Sequence, residues 1–133
     1  MTKEQLKSIP RIEKIIKRKK RQLLEIREIM YCVPALSNDE KVQMSVVNRG
    51  MSVVDSALDL EQKLHEDCVK LLNLKNEAYD IIRDIKDDRE RELMELRYID
   101  GLRWEKIALE MNYSHRWVTR LHGRILAKLF PND

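Results

Sequence analysis

The side chains with the clearest binding chemistry lie near the carboxyl end, in RWEKIALEMNYSHRWVTRLHGRILAKL, residues 103–129. No acidic residue occurs between Glu110 and Asp133. The part of this segment after Glu110 has fixed positive charges and no carboxylates, which suits it to contact phosphate groups. The residues that we expect to contact such a ligand are Ser114, His115, Arg116, Trp117, Thr119, Arg120, Arg124 and Lys128.

The same segment has the spacing of a helix-turn-helix. Its inward-facing positions are all apolar or aromatic: Ile107, Ala108, Met111, Tyr113, Val118 and Leu121. Asn112 occupies the corner, where a short polar side chain tolerates positive φ. Ser114 precedes the second helix with a hydroxyl suited to capping its free amides. The second helix is predicted from His115 to about Leu129, with one apolar stripe at spacings of three and four.

A helix of this kind fits the major groove of double-stranded DNA. Ser114 and the amides that it caps are expected to receive a phosphate. Arg124 and Lys128 are expected to contact the backbone. The candidates for base edges are His115, Arg116, Thr119 and Arg120. Trp117 has two interpretations, a contact with sugar or a thymine methyl group and packing on the helix expected at 89–99. An amphipathic helix with a solvated basic face remains the alternative for the whole segment.

A resemblance accompanies this pattern. Residues 96–129 resemble region four of bacterial sigma factors, the module that reads the −35 promoter element. The chain is more similar to the RinA and ArpU group of phage and prophage regulators, through LRYIDGLRWEKIALEMNYSHRWVTRLHGRIL and, more weakly, VQMS at 42–45 and the leading MTKEQL. It departs from that pattern at Arg103, where Ser or Thr is usual, and at Asn112, where Gly is usual.

The resemblance implies a sequence-specific transcriptional regulator that activates late packaging and morphogenesis genes. The amino-terminal helices would then serve as a dimerisation or RNA polymerase contact module. Two other functions stay open: a packaging component like a small terminase subunit, and a protein-binding module whose basic helix meets an acidic partner. No catalytic motif is present, so we expect neither an enzyme nor a bound cofactor or metal.

Composition agrees with a helical protein. Of 133 residues, 37% are charged and 5% aromatic, with three glycines and three prolines. The net charge is +3, but an acidic segment at 52–92 masks two basic ends. No apolar run approaches the roughly 20 residues that span a bilayer. We therefore expect a cytoplasmic, all-α protein.

Residues 1–86 are predicted to form a long antiparallel helical hairpin with a connector at 31–50. Apolar residues at heptad-like spacing continue through both helices, and each stripe is interrupted once, by Lys19 and by Asp67. Antiparallel packing brings these two residues opposite each other. The alternative is that the stripes pack on another subunit. The basic run KRKKRQ, residues 17–22, is either internal and solvated or contacts phosphate.

Residues 87–133 are predicted to be a three-helix domain that contains the helix-turn-helix. Asp87, Asp88 and Glu90 mark a helix start, and Asp100-Gly101 marks a stop. The intervening helix is predicted from about Arg89 to Ile99, with Leu93, Leu96 and Ile99 inward and Trp104 in the domain core. Gly123 lies inside the last helix, where close approach to DNA or to a neighbouring helix would explain it.

Overall fold

The computed structural model describes residues 1–32 and 40–132, with side-chain positions for 1–31 and 52–132. No strand occurs in these ranges, so the predicted all-α class is confirmed. The elements in chain order are α1 (Lys3–Cys32), α2 (Glu40–Arg83), α3 (Asp88–Met94), a π-helical turn (Glu95–Ile99), α4 (Trp104–Met111) and α5 (His115–Leu129).

One compact unit, Lys14–Val69, consists of antiparallel segments of α1 and α2. The Lys19 ammonium donates to Asp67 Oδ2, as the stripe interruptions predict. Arg27 Nη2 donates to Glu61 Oε1 over 2.7 Å. Ile16 and Leu23 are buried in this unit. Lys19, the earlier of the two α1 residues, pairs with the later α2 residue, Asp67, so the two helices run antiparallel as predicted.

The other compact unit comprises Met1–Glu13 and Lys70–Asp133. Here α3 and α4 both pack against α5, and α4 also contacts the π-helical turn. An ion pair joins Glu13 to Lys75. Large side chains that are less than 2% exposed fill its interior: Leu6, Ile9, Ile82, Leu93, Met94, Ile107, Val118 and Ile125. The two units have different bounds from the predicted segments 1–86 and 87–133. That these two segments are domains stays a prediction.

The predicted connector, 31–50, is too long. Helix α1 extends to Cys32, and α2 begins at Glu40. Residues 40–50 contain no proline and a single glycine, Gly50. One glycine costs a helix about 1 kcal/mol relative to alanine, which a helix of 44 residues tolerates. The sequence also predicts a capping box of Ser37 with Glu40, and Ser37 lies outside the described residues.

The helix before the stop at Asp100-Gly101 begins as predicted but changes geometry midway. Asp87 caps α3, because its side chain accepts from the amides of Arg89 and Glu90. The next turn is π-helical, and the Asp100 amide donates to the Glu95 carbonyl over 2.9 Å. Tyr98 lies in this turn and is buried, with 2% of its surface exposed.

The predicted inward positions are therefore partly wrong. Leu93 is buried, whereas Leu96 and Ile99 are half-buried, and Met94 and Tyr98 take their places in the core. None of the helices in the described ranges combines the length and the apolar character that crossing a bilayer requires.

Candidate nucleic-acid interface

The corner between α4 and α5 has the predicted geometry. Asn112 adopts φ 59° and ψ 39°, in the left-handed region. Its amide donates to the Leu109 carbonyl over 3.3 Å, and the Tyr113 amide donates to Ala108 over 3.0 Å. These bonds end α4 and turn the chain within three residues. At the other end of α4, the Arg103 side chain makes no capping hydrogen bond among the described residues, consistent with its departure from the usual Ser or Thr.

Ser114 caps α5 as predicted. Its Oγ accepts from the Trp117 amide over 3.1 Å. The first turn of α5 contains no acidic residue. The free amides and the helix dipole therefore leave a positive end that favours an anion.

Three arginines form an exposed ridge along α5, which we call the arginine ridge: Arg116, Arg120 and Arg124. Their spacing of four residues places them on one side of the helix over roughly 12 Å. None of their guanidinium groups forms an ion pair or hydrogen bond with any residue that the structure describes. The ridge presents three uncompensated charges to solvent.

His115 and Thr119, two predicted base contacts, are partly engaged by the protein. His115 Nε2 lies 3.9 Å from Glu105 Oε1. The Thr119 hydroxyl donates to the carbonyls of His115 and Arg116, at 3.1 and 3.0 Å. With its proton directed at the backbone, Thr119 retains acceptor capacity and a methyl group for a base edge.

Lys128, predicted to contact the DNA backbone, forms an ion pair within the protein. Its Nζ lies 2.7 Å from Glu90 Oε1, and the Glu90 side chain is only 13% exposed. This carboxylate offsets much of the positive charge at the end of α5. The contact of Lys128 with DNA stays a prediction, but the sequence did not anticipate its acidic partner.

Trp117 stacks on Tyr113, with ring centroids 3.9 Å apart and planes inclined by 27°. The Arg89 guanidinium lies 5.9 Å from the Tyr113 centroid. Trp117 is half-buried, so one part of the indole supports the turn and another part faces solvent. The two interpretations of Trp117 from the sequence, contact with DNA and packing on the helix at 89–99, did not include Tyr113.

A polar cluster beneath α5 was missed from the sequence. The Tyr98 hydroxyl and His122 Nε2 are 2.6 Å apart, and the His122 and Trp104 rings meet edge to face at 4.7 Å. The Arg97 guanidinium lies over the Trp104 ring, 4.4 Å from its centroid, and donates to the Leu102 carbonyl. Trp104 is thus half-buried, less deeply placed than predicted.

Burial sets the protonation states in this cluster. Desolvation, reinforced by the positive charges of Arg97, Lys7 and Lys3, lowers the pKa of His122 to about 4. Desolvation also raises the pKa of Tyr98 to about 12. At neutral pH the imidazole is therefore uncharged and the phenol protonated, so that the phenol can donate to the bare ring nitrogen. The cluster packs against α5, and none of its side chains belongs to the arginine ridge.

Gly123 lies on the exposed side of α5, between Arg120 and Arg124. A Cβ built there meets no described atom within 4 Å. Close packing against a helix of the described chain therefore does not explain this glycine. Close approach of Gly123 to DNA stays a prediction.

Among the described residues, no group of three or more His, Cys, Asp or Glu side chains could hold a metal ion. The exposed groups of α5 are cations, a helix amino end and hydrogen-bonding side chains, which suit binding to phosphates and bases. Comparisons with protein-family models, with curated proteins and with solved structures found no match for this chain.

Proposed function

We propose that the protein is a sequence-specific DNA-binding transcriptional regulator and that α5 is its reading helix. The arginine ridge carries this proposal. Three exposed arginines stand on one side of a helix that follows a tight left-handed corner, and no described carboxylate neutralises them. A helix held in this way against a second helix is the arrangement that enters the major groove.

Each part of α5 has a chemically suited contact. Arg116 and Arg120, nearest the amino end, suit the O6 and N7 acceptors of guanine. The capped amides and Arg124 suit phosphate oxygens on either side of the groove. His115 and Thr119 are secondary candidates, because each already contacts the protein.

Affinity from α5 alone is limited. About four neutralised phosphates give a slope of log K against log salt near −4, which is that of a weak binder. A useful regulator therefore needs a second contact with DNA or a partner. The resemblance to phage and prophage regulators favours late-gene activation, with RNA polymerase or a second copy of the chain as partner.

The first experiment selects binding sites from a library of random DNA duplexes with the wild-type protein. We expect a recurrent short motif that contains guanine. Fluorescence anisotropy then compares the selected duplex with a scrambled one at two salt concentrations. Equal affinity for both duplexes at both concentrations would leave the regulatory function without support.

Variants test which residues read the site. Arg116→Ala and Arg120→Ala are each expected to weaken binding to the selected duplex by 1 to 3 kcal/mol, roughly 5- to 150-fold, and less on the scrambled one. Arg83→Ala is the matched control, because Arg83 is exposed, lies in the same compact unit and pairs only with Asp80 in the described structure. Circular dichroism checks that the variants keep their helical content.

A further inference from the structure

The basic run of α1 is divided between two roles. Lys19 pairs with Asp67 of α2. Five neighbouring cations have exposed side chains that form no ion pair or hydrogen bond with a described residue: Lys14, Lys17, Arg18, Lys20 and Arg21. We call these five residues the outer basic face. The hairpin therefore uses one charge of the run and leaves the others facing solvent.

The charges of the outer basic face repel one another and so destabilise this part of α1. Lys14 lies three and four residues before Lys17 and Arg18, and Arg21 lies four and three residues after them. Their charges therefore adjoin on the helix surface and repel one another. No acidic residue occurs between Glu13 and Glu25. A surface of this kind gains most when a polyanion neutralises it.

The packing of α1 favours DNA over other polyanions. Ile16 and Leu23, on the apolar side of this segment, are buried and cannot enter a lipid surface. From residue 14 to 21 no apolar side chain is exposed. Protein interfaces have an apolar or aromatic centre and are poor in lysine, whereas phosphate backbones require only cations.

We propose that the outer basic face is a second DNA-binding surface, which contacts the phosphate backbone of duplex DNA without reading its bases. This inference rests on the proposed function of α5 and deepens it. The face supplies sequence-independent affinity to a protein whose reading helix is a weak binder on its own. Specificity stays with the arginine ridge.

The test compares three proteins by anisotropy on the selected and scrambled duplexes over a range of salt concentrations. The first is wild type, and the second carries Gln at Lys14, Lys17, Arg18 and Arg21. The third protein is the control. It loses the same number of positive charges from the acidic segment 52–92 and carries Gln at Lys63, Lys70, Arg83 and Lys86. The second protein is expected to bind both duplexes at least tenfold more weakly near 0.1 M salt, with a slope shallower by about two to four.

The control is expected to keep the wild-type slope. The melting temperature of the second protein is expected to rise, because repulsion is relieved, so a weaker affinity cannot be attributed to unfolding. Amine acetylation read by mass spectrometry adds a direct measurement. DNA is expected to protect Lys14, Lys17 and Lys20, and to leave Lys63 reactive.

An unchanged slope and no lysine protection, with Arg120→Ala still impaired, would overturn this inference and leave the proposed function intact. Equal losses in the second protein and the control would also overturn it, because net charge alone would then explain the binding. Absence of DNA binding by wild type would instead remove the proposed function and the inference together.

Discussion

Acidification is expected to destabilise the unit that contains α5 through one partly buried imidazole. The pKa of His122 is about 4 in the folded protein, against 6.5 for an unperturbed histidine. The unfolded chain therefore binds this proton more readily than the folded chain. The stabilising contribution is complete above about pH 6.5 and is lost as the pH falls towards 4.

The magnitude follows from the difference between the two pKa values. Each unit corresponds to 1.36 kcal/mol, so the full contribution is about 3 kcal/mol, and about 2.5 kcal/mol of it is lost between pH 7.5 and pH 4.5. Carboxylates also titrate in this range. The relevant quantity is therefore the difference between wild type and His122→Gln, in which an amide replaces the ring nitrogen beside Tyr98 without titrating.

Urea unfolding followed by tryptophan fluorescence is the appropriate assay, because both tryptophans, Trp104 and Trp117, lie in this unit. Wild type is expected to lose about 2.5 kcal/mol more than His122→Gln between the two pH values. NMR titration of the ring protons gives the pKa directly, with His65→Gln and His115→Gln variants assigning the signals. A His122 midpoint near 6.5, or equal losses in both proteins, would refute this reasoning.

Two further predictions concern single positions. Gly123→Ala is expected to raise the unfolding free energy by about 1 kcal/mol, because the added methyl group meets open space; a lower melting temperature would contradict these surroundings. Lys19→Glu and Asp67→Lys are each expected to destabilise the hairpin by about 1 to 3 kcal/mol, since the pair is only partly exposed. The double reversal is expected to recover most of that loss in urea unfolding, whereas simple additivity of the two changes would exclude a direct pairing.

Features that depend on local chemistry were predictable from the sequence. The left-handed Asn112, the Ser114 and Asp87 caps and the stop at Gly101 each follow from what a few adjacent atoms can do. The antiparallel register was also predictable, because two charges interrupt otherwise apolar stripes and only one alignment brings them together. The exposure of the arginine ridge followed from the apolar stripe on the opposite side of α5.

Features that depend on tertiary contacts were not predictable. Glu90 and Lys128 are 38 residues apart, and Tyr98 and His122 are 24 apart. No periodicity links either pair. The boundary at Glu40 was missed for another reason, since 40–50 lack a long apolar repeat and yet contain nothing that stops a helix.

The π-helical turn makes the number of residues between α3 and α4 a structural constraint. Each residue of an ordinary helix advances the side-chain direction by about 100°. Removing one residue between Met94 and Tyr98 is therefore expected to turn the Tyr98 side chain relative to His122. Substitutions keep the number of residues and therefore leave this side-chain direction unchanged. Over these five residues, the number of amino acids matters as much as their identity.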